Sequence, residues 1–183
     1  MLEQTDGYLV EWMKSQWGTA NKINTITNKP NEDDPSRTVT TVSKRIVVTS
    51  PQMFFDLDSL GIDARKSYVS ILPIIDDDLY PFFCQGLFDG DGTLGEYNYM
   101  NETKLPVRWI GSLSLVGQLA WYFHHRLGVD YVKPSWSTHT KTLGTLTYTL
   151  DEQTKKICDF IYGDLDAAPY MKRKYEKYEN YFG

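Results

Sequence analysis

The sequence predicts an α+β fold in which antiparallel strand pairs alternate with helices, and three observations predict it. The order helix, strand, strand, helix occurs twice along the chain. The strand-like runs come in adjacent pairs separated by turn-rich links, which suits hairpins better than the alternating crossovers of a parallel sheet. An apolar stretch, residues 78–90, runs straight into a glycine-rich acidic run, and FFCQGLFDGDGTLG spans the junction at 82–95.

Each element has its own local reason. In TDGYLVEWMKSQWG the residues Tyr8, Leu9, Trp12, Met13 and Trp17 recur at helical spacing, with Thr5 or Asp6 to cap the start and Gly18 to stop it. KINTITNKPNEDDPSRTVTTVSKRIVVTS reads as two strands, about 22–28 and 37–49, around a loop rich in Pro, Asn and Asp. The helix SPQMFFDLDSLG follows, with Ser50 as its cap, Pro51 at the first helical position and Gly61 at its end. Beyond the extended stretch IDARKSYVSILP comes the apolar segment and its acidic run. Two strands, about 94–100 and 106–114, then lead to the helix SLVGQLAWYFHHRLG, in which Leu115, Leu119, Tyr122, Phe123 and Leu127 keep helical period. DYVKPSWSTH and GTLTYTL read as two more strands, DEQTKKICDFIYGD as a helix capped by Asp151, and residues from about 169 to 182 as a closing basic-aromatic helix. A weak internal echo, WMKSQWGTANKINTI against YFHHRLGVDYVKPSW, matches in pattern more than in identity.

At 183 residues the chain suits one domain or two small pseudo-repeated halves, expected at 1–66 and 67–183. No run approaches the roughly eighteen apolar residues of a membrane span, and MLEQTDGYLVEW lacks the basic and apolar regions of a secretion signal, so a soluble intracellular protein is expected. Cys84 and Cys158 lie in separate apolar segments and read as buried thiols in a reducing compartment. The net charge of -5, from 19 basic and 24 acidic residues, excludes a general nucleic-acid coat. Yet the signs separate along the chain. Acids gather in NEDD, DLDSLGID, IIDDDLY and DGDG, while bases gather in strand-like or terminal stretches such as RTVTTVSKR and MKRKYEKY, so a sheet could carry a basic face.

The acidic run DGDG by itself leaves three readings: a metal site, a phosphoryl-carrying aspartate, or an acidic turn. A calcium loop fails on spacing, since counting from Asp89 puts Leu94 where glycine is needed and Met100 where glutamate is needed. DGDGTL fits the signature of haloacid-dehalogenase-like phosphatases, with Asp89 as nucleophile and Asp91 as general acid. That signature belongs at the end of the first strand of a parallel sheet, whereas here about eighty residues precede it and hairpins follow. His124 and His125 are adjacent on a helix, point different ways and read as surface or core groups. The aromatics of the closing helix read as packing residues.

The phrase YPFFCQGLFDGDGTL resembles the LAGLIDADG motif of homing endonucleases, with Cys84 to Gly92 standing over the nine letters. LGIDARKS upstream and FIYGDLDAAPYMKRKYEKY at the end look like phrases that flank that motif in the family, so the resemblance covers most of residues 45–183. It implies an αββαββα half with an antiparallel saddle sheet, preceded by a partial first half that lacks its motif helix. It implies a site-specific double-stranded DNA endonuclease that uses Mg²⁺, held by Asp91 with the Gly90 carbonyl. Gly86, Phe88, Asp89 and Gly90 would form the interface between paired motif helices, and the four-residue glycine spacing suits close approach of two backbones. Asp89 would make hydrogen bonds at the helix end.

In such a saddle, outward strand residues would reach DNA, and the candidates are Lys22, Asn24, Lys29, Arg37, Lys44, Asn98, Arg108, Lys133, Ser135, His139 and Lys141. The family often sets a lysine near the end of the strand before the last repeat helix, but TYTLDEQ and VVTSPQ offer none. Lys141, with Lys44 in the first copy, is the substitute, and Lys141 is taken as the catalytic lysine. A single motif supplies a single acid, so a second motif-bearing chain or self-association is expected to complete the centre. The alternatives are a nuclease-dead DNA- or RNA-binding or interaction subunit and, further off, the phosphatase.

Overall fold

The structure is a computed structural model that describes residues 2–3, 6–28, 40–62, 70–100, 102–136 and 143–183. It comprises two compact units, Met1–Ser50 and Pro51–Gly183.

In the first unit, strand β1 (Leu2–Glu3), helix α1 (Gly7–Gln16) and strands β2 (Asn24–Asn28) and β3 (Thr41–Arg45) build a small sheet of order β1-β3-β2. All its pairings are antiparallel, with Ile26 opposite Ser43 and Leu2 opposite Lys44. Helix α1 buries Leu9 and Val10. It stops at Gly18, whose φ of 58° is open to glycine at little cost and whose N–H reaches the Ser15 carbonyl at 3.2 Å.

The second unit opens with helix α2 (Pro51–Ser59), and a 3₁₀ turn, Asp77–Leu79, leads into helix α3 (Tyr80–Asp91). Strands β4 (Gly92–Leu94), β5 (Tyr97–Tyr99), β6 (Glu102–Lys104) and β7 (Val107–Ser112) follow, then helix α4 (Leu113–Leu127). Strands β8 (Ser135–Trp136) and β9 (Leu143–Tyr148), helix α5 (Asp151–Ile161) and helix α6 (Lys172–Phe182) complete it. The main sheet runs β4-β7-β9-β8, antiparallel throughout, and β5 pairs with β6 apart from it.

One face of this sheet builds the core. Along β7 and β9 burial alternates, so that Val107, Trp109, Leu146 and Tyr148 point inward beneath Phe88 of α3, Leu119 and Phe123 of α4, and Ile157 of α5. Helix α4 lies directly on β9: a Cβ at Gly144 would stand 2.8 Å from Val116 Cγ2 and 2.9 Å from Leu113 Cδ1. Ser112 caps α4, its hydroxyl oxygen accepting the Leu115 N–H at 3.1 Å.

The α+β arrangement agrees with the sequence reading, and three local differences have physical causes. The hairpin expected at 94–100 and 106–114 divides into a β4–β7 pair and a β5–β6 pair, because Pro106 has no N–H for the ladder and Gly95 sits across the break. Asp151 is the first residue of α5 and Leu150 holds the cap position. Its carboxylate instead accepts from Lys104 Nζ at 3.1 Å and Tyr181 Oη at 3.2 Å. The strand expected in DYVKPSWSTH is reduced, within the described residues, to Ser135–Trp136, next to Pro134.

Both cysteines are buried free thiols, and burial pushes each up to about 12. A thiol held protonated in the fold keeps its proton where the unfolded chain loses it, so stability is full at neutral pH and falls as the pH rises above about 9. Two results are expected. Neither thiol should react with an aromatic disulfide reagent at pH 8 until the chain is unfolded, and urea midpoints should fall between pH 9 and 10.5. Rapid labelling of either cysteine in the native protein would contradict the packing.

Candidate functional site

Helix α3 is divided by its period. Cys84 and Phe88 face the core, Gln85 and Asp89 are also buried, and Gly86 and Gly90 lie exposed on the opposite side. A Cβ at either glycine would meet no heavy atom within 4 Å among the described residues. The expected interface set therefore separates. Gly86 and Gly90 form an open, small-residue stripe, but Phe88, about 200° round the helix from Gly86, faces inward, and Asp89, about 100° from Gly90, lies on the flank that Tyr162 and Met171 cover. The Phe88 ring is fully buried, 5.1 Å from that of Trp109 and 6.3 Å from that of Tyr162.

The helix ends abruptly. Gly92 adopts an extended φ of -84° and ψ of 163°, and its N–H closes the last turn onto the Phe88 carbonyl. A Cβ there would stand 2.6 Å from that carbonyl oxygen and 2.2 Å from the Phe88 ring, so only glycine fits without movement. Gly92→Ala should cost about 1–3 kcal/mol, as overpacking does, and urea unfolding read by tryptophan fluorescence measures it. A change within error would show that Phe88 has room to move.

Beneath this junction lies a buried polar knot. Asp89, 7% exposed, accepts the Met171 N–H at 2.8 Å and the Tyr162 hydroxyl at 3.4 Å. Lys174, 6% exposed, donates from Nζ to the carbonyls of Phe88 at 2.5 Å, Asp89 at 3.0 Å and Gly92 at 2.6 Å. The ammonium also lies 4.8 Å from the centre of the Phe88 ring. A phosphatase nucleophile at Asp89 has no access to substrate here, and its residue sits on a helix where that chemistry requires a strand end.

Asp91, the last residue of α3, behaves differently and is exposed. With Leu87 it lines an open cleft of about 350 Å³ together with Ser70, Ile110, Ser112 and Leu143. Among the described residues no three His, Cys, Asp or Glu side chains gather as metal ligands, and Asp91 is the acidic residue among those that line the cleft.

The outer face of the main sheet extends from that cleft. Arg108 is exposed, lies opposite Thr93 and Thr147 in the ladder, and donates from Nε to Thr147 Oγ1 at 3.2 Å. Ser135 is exposed opposite Thr145, to whose carbonyl its hydroxyl donates at 3.4 Å. Thr93, Thr145, Thr147 and Ile110 thus share a face with the candidates Arg108 and Ser135, and the sequence reading did not single them out. The alternation of TLTYTL carried the signal, but a threonine has no charge to mark it as a phosphate contact.

The other candidates lie elsewhere. Asn98 is exposed on β5 and accepts from Thr103 Oγ1 at 3.2 Å, and Lys133 is exposed before β8. In the first unit Lys22 and Asn24 are exposed, while Lys44 is paired with Glu11 at 2.5 Å. Lys29, Arg37, His139 and Lys141 lie outside the described residues.

No protein-family model matches the chain, and no curated protein matches it in sequence. Solved structures do match in shape. They include the I-SmaMI LAGLIDADG homing endonuclease bound to cleaved DNA, at 14% identity and a TM-score of 0.57, over 98% of this chain and 74% of that one. The I-LtrWI LAGLIDADG homing endonuclease bound to target DNA matches at 12% identity and 0.56, over 99% and 76%. The I-GzeII enzyme in complex with its DNA target matches at 13% and 0.55, over 98% and 76%. The chain has the fold of LAGLIDADG homing endonucleases.

Proposed function

We propose that this chain is part of a site-specific double-stranded DNA endonuclease that hydrolyses phosphodiesters with Mg²⁺ at the end of helix α3. The observation that carries the reading is an exposed Asp91 at the tip of a helix whose Gly86–Gly90 side is open to a second helix. The DNA-bound endonucleases with the same fold support it.

The residues suit the metal. A small hard cation keeps several waters and takes one or two carboxylates together with phosphate oxygens, so Asp91, the neighbouring Gly90 carbonyl and an acid from a second helix make a sufficient set. The carbonyl end of a helix also favours a cation. Magnesium, when bound, makes water a nucleophile at neutral pH and stabilises the leaving oxygen. Asp91 would orient that cation at the sheet's outer face. There Arg108, with the hydroxyls of Thr93, Thr147 and Ser135, would hold phosphates and read base edges. Lys22, Asn24, Asn98 and Lys133 are further phosphate candidates, and Lys44 would first have to leave Glu11.

A second chain, either another motif-bearing polypeptide or a copy of this one, would supply the second acid. Helix α2, which buries none of its residues among the described ones and exposes Phe54 and Phe55, supports an additional packing partner. Residues 1–66 would then belong to one half of the repeat and 67–183 to the half that carries the motif. The test is incubation with Mg²⁺ and a library of DNA sites, alone and with motif-bearing partner chains. Discrete staggered ends are the expected product. Tight, salt-dependent binding without cutting would favour a nuclease-dead binding subunit, a reading supported by the absence of a lysine in TYTLDEQ.

A further inference from the structure

The last carbonyls of a helix have no partner within it and ordinarily turn to water. At the end of α3 the Asp89 carbonyl turns to Lys174 instead, together with that of Phe88, which also holds the Gly92 N–H, and that of Gly92 just beyond the helix. Lys174 is delivered by the first turn of α6, and its Nζ is shared among the Phe88, Asp89 and Gly92 carbonyls. Two of these acceptors precede Asp91 and one follows it. An ammonium has three donors and no acceptor, so its bonding capacity is filled by main-chain oxygens on both sides of the one residue that projects outward.

The surroundings reinforce the grip. The Asp89 carboxylate takes the Met171 N–H from the cap of α6 and the Tyr162 hydroxyl from the end of α5, which ties the same turn of α3 to the elements that carry the lysine. Gly92 packs against Phe88 too closely for any side chain, so the junction has little slack. Lys174 takes carbonyls on the inner side of the junction, and the exposed Gly90 and Asp91 lie on its outward side. An apolar side chain of the same length would fill the space but leave buried carbonyls without a donor, so the ammonium holds this junction through hydrogen bonds and not through packing alone.

We infer that Lys174, acting through the main chain of Phe88, Asp89 and Gly92, is a positioning residue that fixes the direction of the Asp91 carboxylate. The inference rests on the reading of Asp91 as a metal ligand. Lys174 itself touches neither DNA nor metal.

The test is Lys174→Met in the full chain, with the partner chain if cutting requires one. Groups that orient metal ligands are worth about 10–100-fold in metal affinity or activity, so the half-saturating Mg²⁺ concentration for single-turnover cutting should rise about tenfold or more. DNA affinity should stay within about threefold, because no phosphate contact is lost. Amide exchange in peptides covering 89–93 should quicken about tenfold or more, while that of 113–127 stays unchanged. Unchanged metal dependence together with unchanged exchange at 89–93 would overturn the inference. If the parent protein does not cut any DNA, the endonuclease reading fails by itself, and the exchange measurement still decides whether Lys174 holds the junction. If Lys174→Met does not fold, Lys174→Arg carries the test. Its planar fork cannot serve three oxygens arranged around one nitrogen, so a rise of about threefold or more in half-saturating Mg²⁺ and faster exchange at 89–93 are expected, and no change in either overturns the inference.

Discussion

Asp91→Asn is expected to lower double-strand cleavage by at least about a thousandfold while leaving the fold and DNA binding intact. The substitution keeps shape and removes only the charge, at a residue that is exposed. Surface changes of this kind shift stability by no more than about 0.5 kcal/mol, so urea midpoints should coincide with those of the parent. Binding should be equal or slightly tighter, because one negative charge near the phosphates is gone, and the slope of log K against log salt should not change. The same substitution at Asp89 should behave in the opposite way. Asp89→Asn alters a buried acceptor of the Met171 N–H and the Tyr162 hydroxyl, and its first effect should be on unfolding. Equal cutting by the parent and Asp91→Asn would remove the proposed centre.

Trp109→Ala is expected to be the most destabilising single change, at about 3–5 kcal/mol, a large share of a typical total of about 5–15 kcal/mol. Trp109 is 1% exposed, and its ring lies 5.1 Å from that of Phe88 and 5.3 Å from that of Phe123, so it joins the end of α3 to α4. In the ladder it stands opposite Gly92 on one side and Leu146 on the other. Removing the indole leaves a cavity that three elements would have to close together. The indole N–H has no hydrogen-bond partner among the described residues. Trp109→Phe removes that orphaned donor and keeps a ring, so it should cost less than half as much as the alanine variant. Urea unfolding followed by far-ultraviolet circular dichroism separates the two. Equal losses would mean that the indole N–H finds a partner in solution. In the alanine variant, cutting should also weaken, because β7 supports the strand that leaves Asp91.

Much of this was legible beforehand because it is local. The stop at Gly18, the start of α2 at Pro51 and the period of α4 follow from spacing and from what glycine and proline permit, whereas the helix ending near Asp91 was implied by the motif resemblance alone. The split hairpin was less legible. Pro106 announced a break in the ladder, but not that both fragments keep one register across it, with Leu94 opposite Val107 and Tyr97 opposite Lys104. The hydroxyl face of Thr93, Thr145 and Thr147 was written in the alternation of two strands. Only their register, with Thr93 and Thr147 both opposite Arg108, gathers it around that residue.

By itself the sequence determined the alternation of helices with strand pairs, because this depends on neighbours within a few residues, while the helical form of the segment that closes on two aspartates was implied by its resemblance to a known motif. Only the tertiary structure decided which aspartate is available for chemistry. The partners that bury Asp89, Tyr162 and Met171, lie 73 and 82 residues away in the chain. The lysine beneath the junction meets its acceptors across 82 to 86 residues. Contacts at such separation leave no periodic trace, since they arise when α5 and α6 fold back over the end of α3 and exclude water from one carboxylate while leaving the other in it.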